Sequence, residues 1–123
     1  MGQAGGQRGM VTKQGQAPER GDIIWITLDP TKGHEQKGRR PTVVLSPKSY
    51  NVKAGLALVC PITNIAKGYP FEVSVEAQGL TGVVLADQMR TIDWQARKAT
   101  IAGRLSAPKL QELQHKAKLL IEG

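Results

Sequence analysis

Residues 22–46 read DIIWITLDPTKGHEQKGRRPTVVLS. The first seven, Asp22 to Leu28, are rich in β-branched and aromatic side chains, the composition of a strand. PTVVLS, residues 41–46, has the same character. Between them lies a polar loop holding His34, Glu35, Arg39 and Arg40, closed by Pro41. A proline biases the residue before it toward extended backbone, so Arg40 is expected to stand at the mouth of the second strand. A guanidinium fixed there is a planar fork suited to a phosphodiester. Glu35 and His34 beside it are capable acids, bases or orienting groups. Charged loops between strands are also commonly just solvated, so the loop alone does not define a site.

Outward from this stretch, short apolar runs recur with turn signals between them. LALVCPIT (56–63) follows a turn-rich PKSYNVKAG. FEVSVE (71–76) alternates, placing Phe71, Val73 and Val75 on one face. GVVLADQ (82–88) and RTIDW (90–94) are two further strands, and TIAGRL (100–105) is a weaker one. Many short strands separated by Gly- and Pro-containing turns predict a mainly β chain curled into a small barrel or half-barrel. The period then changes. After SAP (106–108), apolar residues fall at Leu110, Leu113, Ala117, Leu120 and Ile121, one face of a helix. Ser106 is the expected N-cap, Pro108 sits in the first turn, and Gly123 ends the pattern. Lys109, Lys116 and Lys118 fall off that face, where solvation is expected.

The chain has 123 residues, enough for one domain with one core. Residues 1–20 contain five of the 14 glycines and no apolar period. They read as a flexible leader, with an ordered domain over 21–123. No apolar run approaches the roughly 20 residues of a membrane span. No secretory signal pattern is present either. The single cysteine, Cys60, excludes an intrachain disulfide, which suits a reducing cytoplasm. It sits in an apolar run and is expected to be a small buried residue.

Lys and Arg number 17 against 10 Asp and Glu, a net charge of +7. From Gly21 onward 14 basic residues still face 9 acidic ones, so the excess belongs to the domain as well as the leader. Such a balance points to a polyanionic partner: RNA, DNA, a membrane surface or an acidic protein segment. His34 and His115 lie far apart in sequence, and no HExxH or CxxC spacing occurs, so neither a metal nor another cofactor is expected. Phosphate-binding glycine motifs and a nucleophile elbow are absent too.

Several ordered motifs carry a family resemblance. GDIIW, LDPTKGHEQKGRRPTVVLSP, CPITN, KGYPFEV and GVVLADQMRTIDWQAR together resemble the MazF/PemK family of toxin endoribonucleases, from about Gly21 to the end of the chain. The resemblance implies a CcdB/PemK-type, SH3-like small barrel with a C-terminal helix, assembled as a homodimer in the bacterial cytoplasm. It implies a metal-independent enzyme that cuts single-stranded RNA at short sequences, leaving 2′,3′-cyclic phosphate and 5′-hydroxyl ends. A MazE-like antitoxin would neutralise it by laying an acidic C-terminal tail in the RNA groove.

Residue by residue, Arg40 matches the family's catalytic arginine and Thr63 its catalytic threonine. An arginine is a poor base, since the guanidinium holds its proton too tightly, so charge stabilisation and proton donation are the roles implied for Arg40. His34 falls where some members carry histidine, a candidate general base, and Glu35 is placed to orient Arg40. Asp87 matches an acidic residue of the PemK branch, but the arginine that accompanies it there is Leu85 here, which makes Arg40 and Thr63 the firmer pair. Lys32, Lys37, Arg39 and Lys67 are the expected phosphate contacts. Tyr69 is the expected base platform, whereas Phe71, Trp25 and Trp94 are expected to pack. Two other classes stay open: a gyrase-binding toxin of the CcdB type, and a nucleic-acid-binding barrel without cleavage. The chain has no tryptophan after Trp94, which counts against the first.

Overall fold

A computed structural model of the chain describes residues 16–28 and 38–123. Seven strands and two helices follow in the order β1 (Asp22–Thr27), β2 (Arg39–Val44), α1 (Lys48–Ala54), β3 (Leu56–Thr63), β4 (Glu72–Ala77), β5 (Leu80–Leu85), β6 (Arg90–Asp93), β7 (Thr100–Arg104) and α2 (Ala107–Glu122). A 3-10 turn, Ala86–Gln88, links β5 to β6. The strands form one antiparallel sheet in the order β4-β5-β3-β2-β1-β7, with β6 also paired to β3. This is the mainly β small barrel with a C-terminal helix that the strand spacing predicts.

β3 organises the sheet because one of its edges serves two partners. Leu56–Val59 pairs with β6, whereas Ile62–Thr63 pairs with β5. Pro61 lies between the two ladders, where the absence of an N–H donor costs least. The opposite edge pairs with β2 through Thr42–Val44. The tip of the β4–β5 hairpin is a two-residue turn at Gln78 and Gly79, both at positive φ (54° and 80°), which matches the twist of the strands it joins. The Gln78 side chain rests on Gly103 of β7: a Cβ added there would come within 2.3 Å of Gln78 Cγ. That contact brings the two ends of the sheet together.

Successive residues of a strand face opposite sides, and here both sides are covered. Ile23, Val43, Cys60, Ile62, Val73 and Val84 join Leu113 and Ala117 of α2 in one apolar cluster. Ile24, Ile26, Val44, Val59, Ile92 and Trp94 fill the other. Cys60 is fully buried, and burial pushes its thiol up to about 12, so it stays protonated and unreactive.

Four expectations are corrected. The stretch 47–55 holds a helix, Lys48–Ala54, and not a turn; its buried residue is polar and gives no apolar period to read. Asn51 is inaccessible, while Tyr50 and Val52 are exposed. Order also begins before Gly21. Pro18 is buried, Arg20 Nε donates to Leu45 O at 2.7 Å, and Arg104 reaches both Asp22 (2.7 Å) and Arg20 O (3.0 Å). The apolar face of α2 is only partly used. Leu113 and Ala117 are buried, but Leu120 and Ile121 are 50% and 72% exposed, since the helix runs past the strand it packs on. Finally, two lysines of α2 are engaged where solvation was expected. Lys109 Nζ donates to Ser74 Oγ at 2.7 Å and Lys116 Nζ to Glu72 O at 2.7 Å, so both bind β4, the end strand of the sheet. Lys118 is exposed as expected.

Asn51 is the polar centre of the molecule. Its Oδ1 accepts from Ser46 Oγ (2.6 Å), and its Nδ2 donates to Pro18 O (2.9 Å) and Ser46 O (3.1 Å). Its backbone carbonyl accepts from Trp94 Nε1 (3.0 Å), and Ser46 Oγ accepts the Leu58 N–H (2.9 Å). Truncation leaves several buried polar atoms without partners. Asn51→Ala is therefore expected to lower stability by about 3 kcal/mol in a urea titration. A midpoint within error of the parent would remove Asn51 from this role.

Candidate active site

Of the residues singled out for chemistry, the described ones line one groove beside the end of β3. Its wider lobe encloses about 810 Å³ and is lined by Arg40 and Pro41 of β2, Thr63 of β3, Trp25 of β1 and Arg90 of β6, among others. A second lobe of about 320 Å³ is lined by Lys67, Tyr69, Phe71, Glu72 and Asp87. Thr63, Ile65, Leu85 and Gln88 border both lobes, so the two are continuous at Thr63. Among the described lining residues, Arg39, Arg40, Arg90 and Lys67 outnumber the carboxylates of Glu72 and Asp87. Trp25, Ile65, Tyr69 and Leu85 contribute apolar lining to the same groove.

Local geometry gives each group a task. Arg40 stands opposite Ile26 in the β1–β2 ladder and is exposed. Its Nη1 donates to Arg39 O at 3.2 Å, which steadies the guanidinium near the strand. Thr63 ends β3. Its Oγ1 accepts the Ile65 N–H at 3.2 Å, which occupies one lone pair and leaves the hydroxyl proton to donate. Gly82 sets the position of Thr63: a Cβ there would lie 2.2 Å from Thr63 O. Only glycine lets β5 come this close.

Arg39 borders the groove, but its guanidinium crosses β1 to reach β7. Nη1 donates to Thr27 Oγ1 (2.9 Å) and Lys98 O (3.0 Å), and Nη2 to Trp25 O (3.2 Å) and Thr100 Oγ1 (3.1 Å). The expected phosphate contact is thus occupied as a tie between strands. Arg97 adds a second tie, with Nη1 donating to Thr27 O at 2.9 Å and also to Leu28 O. Leu28 N–H donates to Gly38 O at 2.7 Å, joining the residues that flank 29–37. His34, Glu35, Lys32 and Lys37 lie outside the described residues. Tyr69 is 50% exposed with its ring centroid 5.2 Å from that of Phe71. Trp94 is buried and packs as expected, and Phe71 packs against the core from the groove side. Trp25 departs from expectation: half-buried, it lines the groove. No three His, Cys, Asp or Glu side chains cluster as metal ligands among the described residues.

Sequence reasoning missed Arg90, Trp25 and Gly82. By the period of two Arg90 shares the face of Ile92 and reads as core-facing; that it reaches the groove instead depends on β6 pairing with β3. A glycine inside a strand pattern does signal close backbone approach, and Gly82 carried that signal.

A groove of this build, basic with apolar platforms beside a fixed guanidinium and a free hydroxyl proton, belongs to a class of small barrels that handle polyanions. The comparisons specify which. Residues 19–121 match the family of PemK-like, MazF-like toxins of type II toxin–antitoxin systems. The endoribonuclease toxin MazF of Escherichia coli strain K12 is 51% identical over 104 residues, covering 85% of this chain and 94% of that protein. The crystal structure of MazF (Form-I) from Deinococcus radiodurans superposes with a TM-score of 0.77 at 45% identity, covering 88% of this chain and 99% of that one. A MazE–MazF structure (Form-II) from the same organism gives 0.77 at 41% identity, with 87% and 97% covered. The chain belongs to the PemK-like, MazF-like toxin family.

Because Gly82 abuts the Thr63 carbonyl, an added methyl must push β5 away from β3. Gly82→Ala is expected to cost about 1–3 kcal/mol in chemical denaturation. Unchanged stability would show that the strands separate freely here, and that Thr63 is placed by something else.

Proposed function

We propose that the chain is an endoribonuclease toxin that binds single-stranded RNA in this groove and cuts it at short sequences. The observation that carries this is the convergence of Arg40 and Thr63 on one basic groove, in a chain 51% identical to an endoribonuclease toxin. The 2′-hydroxyl of the RNA attacks the adjacent phosphorus. The new P–O2′ bond closes a 2′,3′-cyclic phosphate, and the P–O5′ bond breaks to release a 5′-hydroxyl. RNA supplies the nucleophile, so the protein must provide a base, stabilisation of the phosphorane-like charge, and a proton for the leaving oxygen.

Arg40 stabilises the charge on the non-bridging oxygens and donates toward the leaving oxygen. Thr63 donates its hydroxyl proton to a non-bridging oxygen, a role favoured by its lone pair being held by Ile65 N–H. The base comes from His34 or Glu35. Lys67 and Arg90 contact backbone phosphates, Lys32 and Lys37 add further phosphate contacts, and Tyr69 and Trp25 offer faces for bases. Asp87 borders the same lobe as Lys67 and contributes to base or sugar contacts there. The chemistry as drawn uses only the chain's own residues and needs no metal. The chain acts in the cytoplasm with its substrate.

A MazE-like antitoxin neutralises the chain by occupying the groove. Cations interleaved with apolar platforms suit an acidic peptide with apolar anchors as well as they suit RNA, and a relative from Deinococcus radiodurans has been crystallised as MazE–MazF. The functional unit is a homodimer. Leu119, Leu120 and Ile121, consecutive and 50–72% exposed at the end of α2, give it an apolar surface to cover. Light scattering is expected to give twice the monomer mass, and a monomer at micromolar concentration would count against the dimer.

The decisive test is long single-stranded RNA incubated with the protein in excess EDTA, with the ends mapped. Discrete cuts bearing 2′,3′-cyclic phosphate, blocked by a 2′-deoxy sugar at the cut, are expected. Arg40→Ala, folded by circular dichroism, is expected to lose about 10²–10³-fold in rate. Intact RNA with the parent protein points instead to a toxin that binds without cutting. Cleavage that needs an added divalent ion defeats the metal-free mechanism.

A further inference from the structure

The β3–β4 connection, residues 64–70, is exposed throughout and has no regular structure until its last turn. It nevertheless carries Lys67 and Tyr69 into the narrower lobe of the groove. What holds it is a carboxylate. Glu72 Oε2 accepts the Lys67 N–H and Oε1 the Gly68 N–H, both at 3.0 Å. The Glu72 N–H donates back to Tyr69 O at 3.1 Å. Gly68 takes the positive φ (80°) that the bend requires. The strand end is itself anchored, since Glu72 O accepts from Lys116 Nζ at 2.7 Å, and Glu112 holds that ammonium at 3.0 Å.

A negative charge in a groove for a polyanion works against binding. Its presence at Glu72 therefore calls for a compensating role. Both of its oxygens are taken by backbone amides, an arrangement in which a charged acceptor forms stronger hydrogen bonds than a neutral one. We propose that Glu72 is a positioning residue: its carboxylate clamps the loop so that Lys67 and Tyr69 meet the RNA in a fixed geometry. This rests on the endoribonuclease function proposed above.

The two roles of the charge predict opposite signs, and Glu72→Gln separates them. The amide keeps the shape, removes the charge, and turns one acceptor into a donor facing an N–H. Loss of charge alone tightens RNA binding. Loss of the clamp raises KM for cleavage, expected here by about tenfold with kcat within about twofold, which corresponds to roughly 1.4 kcal/mol of binding. Amide hydrogen exchange at Lys67 and Gly68 is expected to accelerate in the same variant. Gly68→Ala is the second probe, and it decides if Glu72→Gln fails to fold. It strains the positive φ while its added Cβ meets nothing within 4 Å, and it keeps the charge, so it should raise KM as well. A KM that is unmoved or lowered in both folded variants overturns the inference, as do protected Lys67 and Gly68 amides in Glu72→Gln. If the parent protein leaves RNA intact, the endoribonuclease function fails first and the role of Glu72 falls with it. Cleavage by the parent with unmoved variants defeats the clamp alone.

Discussion

The whole arrangement depends on β3 changing partners along one edge. Had Leu56–Thr63 paired with a single neighbour throughout, the sheet would continue past Thr63 without a break. Instead the edge passes from β6 to β5 at Cys60–Pro61, and the strands on either side diverge. The groove lies at that divergence, with β2 supplying Arg40, β3 supplying Thr63 and β6 supplying Arg90. Pro61 and Gly82 are the two residues that permit it. One lacks a donor where the ladder is interrupted, and the other lacks a side chain where the new partner comes closest.

Around this break the fold fixes strand ends with polar ties more than with apolar mass. Arg39 and Arg40 show the division most clearly. Adjacent in a strand, they point to opposite faces by the period of two. One crosses β1 to bind four oxygens as far away as β7; the other faces the groove. Arg97 and Arg104 repeat the structural role at the end of β1 and at its entry. Much of the excess positive charge is therefore scaffolding, and a net charge counted from composition overstates how many cations are available to a polyanion.

The strands were legible by two patterns: β1 to β3 are largely covered on both faces and read as nearly continuous apolar runs, whereas β4 alternates between a buried and an exposed face. LALVCPIT matches β3 residue for residue. What was not legible has a common cause. Helix α1 is tied in by Asn51, the segment at Pro18 by a carbonyl, and the lysines of α2 by β4, and none of these contacts leaves an apolar period to read. The unused end of the α2 stripe is the converse case, a pattern present without a surface beneath it among the described residues. At the site, Arg40, Thr63, Lys67, Tyr69 and Asp87 were identified through the family resemblance, and the structure brings them to one groove. Arg39 was assigned to the groove because spacing cannot tell which of two neighbouring arginines turns inward. Arg90 and Trp25 were missed because their place depends on pairing distant in sequence.

In the proposed reaction the RNA brings its own nucleophile, so the chain needs few reactive groups of its own. Its demands fall on placement instead. An arginine is useful to a phosphorane only where its fork meets the oxygens, and a hydroxyl only where its proton points to one of them. Hence the residues with the least visible chemistry do much of the placing. Gly82 admits β5 to within contact of Thr63, Ile65 N–H turns the hydroxyl, Arg39 fixes the strand that carries Arg40, and the Glu72 clamp fixes the far wall. The number of reactive groups sets which reaction is possible in such a small fold. The precision of the strand break sets whether it proceeds.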